Sequence, residues 1–134
     1  MRILLDTNIL ISAALFPTGV AAKAYFKAVT HPNKGVVCDW SIDELRRVYN
    51  RKFPDRIASL NQFLAMASIS IEIIPTPVDE VADEVKIRDI KDRPILRAAQ
   101  LADVDLLLTG DKDFLESGVI KPTIINPSTF IEQW

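Results

Sequence analysis

The chain is short of the side chains that most often carry covalent or acid–base chemistry. It has one cysteine and one histidine in 134 residues, four glycines, and an aromatic share of 7%. The lone cysteine, Cys38, makes no intrachain disulfide, and its place in the apolar run GVVCD marks a small core residue rather than a nucleophile. The lone histidine, His31, lies in the loop THPN ahead of the second apolar run, so no Ser-His or Cys-His pair is in prospect. Gly19, Gly35, Gly110 and Gly118 are scattered and build no phosphate-cradling loop, which argues against an NTPase or a dinucleotide enzyme. No apolar run approaches the roughly 20 residues of a membrane span. The opening MRILLDTNIL is broken by Asp6 and Asn8 and no small-residue cleavage site follows, so it is not a signal peptide and a cytoplasmic protein is expected. Excess positive charge is missing too. With 16 Lys and Arg against 18 Asp and Glu, the net charge of -2 excludes nucleic-acid binding through bulk charge and leaves only a local basic patch.

What is present is an ordinary globular composition, 49% hydrophobic and 25% charged, at a length that predicts one domain over residues 1–134. Five short apolar runs read as strands: 2–6, 35–39, 70–75, 105–110 and 123–126. They are continuous rather than alternating, the pattern of parallel strands covered on both faces. Between them, helical spacing recurs over 18–31 (Val20, Ala24, Phe26, Ala28), 41–53 (Ile42, Leu45, Val48, Tyr49) and 54–68 (Ile57, Leu60, Phe63, Leu64, Ala67). It recurs again over 78–89 (Val78, Val81, Ala82, Val85) and 92–104 (Ile95, Leu96, Ala99, Leu101). Phe26, Phe63 and Phe114 are expected in the core, leaving no stacking platform for bases. Strands alternating with such helices predict a three-layer α/β/α domain around a parallel sheet.

The acids fall at particular places in that plan. Asp6 closes the first strand, Glu44 sits in the first turn after the second, and Asp111 follows the fourth in LLTGDKDF. These are carboxyl ends of strands, where open α/β sheets collect ligands. Asp92 starts a helix, and strand position alone does not bring it there. Each acid also has a structural reading. Asp6 and Asp92 suit helix N-caps, Ser41 and Glu44 have capping-box spacing, and Asp111 with Asp113 suits a turn. As a group, however, crowded carboxylates stay ionised only around a cation, and all-oxygen donors favour Mg2+ or Mn2+. Such sites serve phosphodiester cleavage, with one or two ions about 4 Å apart.

The segments LLDTNILISA, SIDELRRV and RDIKDRPILRAAQLADVDLLLTGDKDFL, in this order and over nearly the whole chain, resemble the successive motifs of PIN-domain nucleases, most closely VapC-like toxins. The resemblance implies a five-stranded parallel sheet of order 3-2-1-4-5 and a Mg2+- or Mn2+-dependent endoribonuclease acting on single-stranded RNA. It matches Asp6, Glu44, Asp92 and Asp111 to the family's acidic quartet and Asp113 to an additional acid that varies, while Asp89 competes with Asp92 for the third place. Asp6, Asp92 and Asp111 would hold the metal, with Glu44 as a ligand or a partner of the attacking water. Thr7, Asn8 and Thr109 match polar neighbours that orient carboxylates. Arg46, Arg47, Arg51, Lys91, Arg93 and Lys112 flank the acids as candidate RNA contacts, joined by Lys52, Arg56 and Arg97 in the same basic stretches. The resemblance further implies a homodimer, for which helix faces at 20–29 and 57–67 are available, and an antitoxin partner. The competing reading is a PIN-like binding module without cleavage. A response-regulator receiver is set aside because the third strand-like run ends in SIEIIPTP, without the phosphorylatable aspartate.

Overall fold

Strand β1 (Arg2–Leu5) lies in the middle of the sheet, and the rest of the chain is laid out around it. A computed structural model describes residues 1–134. β2 (Lys34–Cys38) and β3 (Ile71–Ile74) extend the sheet on one side, β4 (Leu106–Leu108) and β5 (Thr123–Ile125) on the other. All pairings are parallel and the order is β3-β2-β1-β4-β5, as the resemblance implied. The order reverses direction between β1 and β4, which opens a crevice beyond their carboxyl ends.

Residues within each strand alternate between two separate cores. Ile3, Leu5, Val37, Leu106 and Leu108 pack with Leu10, Tyr25, Leu45 and Phe130 on one face. Leu4, Val36, Cys38 and Leu107 pack with Ile87, Leu96 and Phe114 on the other. Both faces are covered, which is why the strands read as unbroken apolar runs. The first layer is built by α1 (Thr7–Leu15), α2 (Val20–Val29), α3 (Asp39–Lys52), α4 (Ile57–Ser70) and α7 (Pro127–Gln133). The second holds α5 (Arg93–Leu101) and α6 (Lys112–Leu115). Gly35 lets α2 return close over β2, since a Cβ there would sit 2.7 Å from Val29 Cγ1. No single helix is long and apolar enough to cross a membrane.

Several local expectations are corrected. The helix expected over 78–89 is only a 3-10 turn, Ala82–Lys86. Its supposed apolar stripe faces solvent, with Val78 91% and Val85 72% exposed. The buried positions are instead Glu84 and Ile87. Glu84 accepts from Arg97 Nε at 2.6 Å and Nη2 at 2.8 Å, and from the Val81 N–H at 3.0 Å. A fork–fork ion pair of this kind, together with a valine-rich, aspartate-rich sequence of low helix propensity, holds the segment in another shape. Phe26 is 58% exposed, not core, because Tyr25 takes the inward position on α2 beside Ala22, Ala24 and Ala28. Val20 and Leu101 also face outward. Asp6 ends up outside β1, as the N-cap of α1. The carboxyl-terminal helix α7, capped by the Asn126 side chain, had no counterpart in the periodicity because it is so short.

Candidate metal centre

The turn after β1 fixes Asp6 by three hydrogen bonds. Its N–H donates to the Leu108 carbonyl at 3.0 Å, tying the ends of β1 and β4 together. Its Oδ1 accepts the Thr7 N–H and its Oδ2 accepts the Thr109 hydroxyl, both at 2.7 Å. The same Thr109 Oγ1 accepts the Asp111 N–H at 3.0 Å, and Asn8 Oδ1 accepts the Gly110 N–H at 3.3 Å. Asp111 Oδ1 accepts the Asp113 N–H at 2.9 Å, capping α6. The sequence TGD therefore does more than turn the chain. Thr109 couples the Asp6 carboxylate to the backbone of Asp111, two turns that follow strands far apart in sequence.

Glu44 arrives from α3. That helix begins at Asp39, so Ser41 lies inside it and fully buried, within 3.4 Å of Cys38 Sγ, and the expected capping box does not form. Glu44 is thereby free to face the crevice. Asp92 ends a 3-10 turn, Ile90–Asp92, and makes no side-chain cap to α5. Asp89 starts that turn, accepting the Lys91 N–H at 3.0 Å. Asp6, Glu44, Asp89, Asp92 and Asp111 line one pocket of about 220 Å³, and Thr7 and Asn8 line it with them. Both rivals for the third acid are thus present. Asp113 lies to one side, its carboxylate within 4.8 Å of those of Asp89 and Asp92 and paired with Arg88 at 3.1 Å.

No basic side chain lines this pocket, and the carboxyls respond. Burial pushes Asp6 up from 3.8 to about 6, with the charges of Glu44 and Asp111 adding to it against the hydrogen bonds from Thr109 and Thr7. Asp92 is raised more, by burial first, then by the hydrogen-bonded Asp111 carboxyl and the charges of Asp6, Asp111 and Asp89. Crowding of this kind disfavours the ionised form of Asp6 and Asp92 unless a cation lies among the acids. A second observation points the same way. Thr7 is 4% exposed, and its Oγ1 has no hydrogen-bond partner although it lines the pocket. An all-oxygen donor set with one orphaned hydroxyl fits a hard divalent cation such as Mg2+ or Mn2+.

The cationic candidates divide by position. Arg47, Arg51 and Lys91 line a neighbouring pocket of about 230 Å³ that shares Glu44 and Val48 with the acidic one. Arg46 turns away to Asn61 Oδ1 at 3.3 Å, Arg93 Nε donates to the Ile87 carbonyl at 3.0 Å, and Lys112 is exposed on α6. Trp40, which no motif in the sequence singles out, also lines the basic pocket, with the Arg47 guanidinium 5.4 Å from its ring. The signal was available: positions 40, 44, 47 and 51 form a single helical stripe.

A parallel sheet of order 3-2-1-4-5 with an acidic crevice where β1 and β4 end defines a PIN-like α/β/α domain. Residues 2–113 match the PIN domain, and the chain belongs to the PIN-domain family. Similar folds occur in VapBC2 from Rickettsia felis, crystallised with a promoter DNA fragment, at TM-score 0.69 and 17% identity over 94% of this chain and 98% of that one. The Mycobacterium tuberculosis toxin VapC20, which cleaves the sarcin–ricin loop, gives TM-score 0.63 and 15% identity over 87% and 95%. FitAcB from Neisseria gonorrhoeae gives 0.62 and 22% over 94% and 98%. No curated protein sequence matches the chain.

Proposed function

We propose that the chain is a Mg2+- or Mn2+-dependent endoribonuclease for single-stranded RNA, the toxin half of a toxin–antitoxin pair. The observation that carries this reading is the pocket lined together by Asp6, Glu44, Asp92, Asp111 and Thr7, whose buried hydroxyl has no hydrogen-bond partner. Asp6, Asp92 and Asp111 would hold one or two ions, with Glu44 completing the set and Asp89 and Asp113 beside it. Bound there, a divalent cation supplies a water of lowered pKa and countercharge for the phosphorane. The chain's own residues supply position. Thr109 and the Thr7 N–H fix both Asp6 oxygens, and Asn8 holds the backbone of Gly110, so the carboxylates need little rearrangement to bind.

The wider reading follows from family membership and from the cleavage and complexes named for the similar structures. One nuclease domain spans 1–134 and acts in the cytoplasm. The apolar faces of α2 and α4, where Phe26, Met66 and Ile69 are exposed, serve a second copy of the chain or the antitoxin. The test is cleavage of labelled single-stranded RNA with Mg2+, with Mn2+ and with EDTA, beside an Asp6→Asn control. Metal-dependent cleavage that Asp6→Asn abolishes is expected. Cleavage that survives the substitution would sink the assignment of the site. A folded, partner-free protein that cuts no RNA with either metal would favour the binding-module reading.

A further inference from the structure

We propose that the basic pocket on α3 is a nucleotide subsite, seating the phosphate and base adjacent to the phosphodiester held at the acidic pocket; the inference rests on the nuclease reading above. The two pockets form one groove. Glu44 and Val48 belong to both, and Asp89 and Asp92 on the acidic side share a short segment with Lys91 on the basic side. On α3, Trp40, Glu44, Arg47 and Arg51 lie at i, i+4, i+7 and i+11, a single face. From Glu44 to Arg51 that face rises about 10 Å, which accommodates a nucleotide beyond the one being cut.

Charge selects the ligand. Arg2, Lys86, Arg88, Arg97 and Lys121 each have a carboxylate partner. The side chains of Arg47, Arg51 and Lys91 have neither an ion pair nor a hydrogen bond, although they converge on one concavity. Glu44, already committed to the acidic side, is the sole carboxylate among its lining residues. Three bare cations around a cavity suit a phosphate. The Trp40–Arg47 stack suits a flat base, because both an indole and a guanidinium plane stack on nucleobases. An anionic peptide would satisfy the cations and leave that stack unused. The subsite also resolves an electrostatic difficulty. An RNA strand drawn toward crowded carboxylates is repelled unless cations close by hold its next phosphate.

The experiment uses the full chain carrying Asp6→Asn, which binds without cutting, and a fluorescein-labelled single-stranded RNA hexamer with Mg2+. Arg47→Ala with Arg51→Ala removes two exposed cations that hold no part of the core. Affinity is expected to fall about tenfold or more at low salt. The slope of log K against log salt should become shallower by about 1.4, at ~0.7 for each single-strand phosphate that is no longer neutralised. Lys23→Ala with Lys34→Ala, exposed and remote, should leave the slope where it was. In a Trp134→Phe background, Trp40 is the only tryptophan, and its emission should be quenched on RNA binding. An unchanged slope in the arginine double variant, or an indole indifferent to saturating RNA, overturns the subsite. Competition by a hexaglutamate peptide as strong as that of unlabelled RNA overturns its nucleotide assignment. If the wild type still cleaves RNA in either case, the nuclease reading stands alone. If it neither cleaves nor binds RNA, both fall together.

Discussion

The two ends of the sheet are built from the same strands and are opposites electrically. At the amino ends, Arg2 grips Glu72 with two hydrogen bonds of 3.0 and 3.1 Å, donates to the Ala102 carbonyl, and offers its N–H to Asp105 at 2.8 Å. Glu72 and Asp105 thus each have a donor facing them. At the carboxyl ends, Asp6, Glu44, Asp92 and Asp111 face one another, and no cation lines their pocket. An end whose charges close among themselves needs nothing more. The other end leaves its carboxylates without a cation from the chain in their pocket, and it is this asymmetry that the proposed metal would answer.

The contrast can be broken most sharply at Asp6. Asp6→Asn should lower RNA cleavage on the order of 10³-fold, the scale of losing one preorganised group at a reacting centre. It should not lower the melting temperature of the metal-free protein, because a buried carboxyl is replaced by a neutral group. Arg97→Ala has the reverse profile. It strands the buried carboxylate of Glu84 and should cost about 3 kcal/mol in denaturant unfolding.

Acid and base should separate the two kinds of carboxylate. Asp6 is raised from 3.8 to about 6 in the folded chain, so the stability it contributes is complete below pH 3.8 and lost as pH rises through 6. Asp92 shifts in the same direction. Glu84 is lowered from 4.5 to about 2, mainly by its Arg97 hydrogen bonds, so its contribution is complete above 4.5 and lost as pH falls toward 2. Thermal melts of metal-free protein should therefore peak between pH 3.8 and 4.5, where the Glu84 contribution is nearly complete and the Asp6 contribution has only begun to be lost, and fall by several degrees on either side. Added Mn2+ should raise the neutral-pH melting temperature, and a flat profile from pH 4.5 to 6 without metal would contradict the crowding described above. At the opposite end, Arg2→Ala breaks a half-exposed pair and should cost only about 1 kcal/mol. Smallest is Thr7→Val. It removes a buried hydroxyl that bonds to nothing, so unfolding free energy should stay within about 1 kcal/mol of wild type, while Mn2+ affinity weakens.

How much of this was legible in the chain depended on whether a residue's role was local. LLL before TGD and ILL before DTN announced buried strands, and the acids after them lay at the right edge because strand ends put them there. Asp92 is different. It reaches the crevice on a 3-10 turn whose position depends on the Glu84–Arg97 ion pair and the Arg93–Ile87 bond, neither of which has a periodic signature. The resemblance placed Asp92, and spacing alone did not. Periodicity misreads 78–89 for the same reason, since valines at helical spacing say nothing of a buried glutamate. Trp40 escapes notice because the apolar periodicity of α3 starts only at Ile42, whereas the helix itself begins at Asp39.

The partition between the acidic and basic pockets is only Glu44 and Val48, one turn of α3. For inhibitor design that thinness is useful. A metal-chelating head joined by a short tether to a sulfonate or phosphonate could occupy both compartments, and the second contact would form at the high effective concentration of an intramolecular event. Selectivity over other acidic pockets would then come from the arginine side of the wall, where the chemistry belongs to this chain's own side chains.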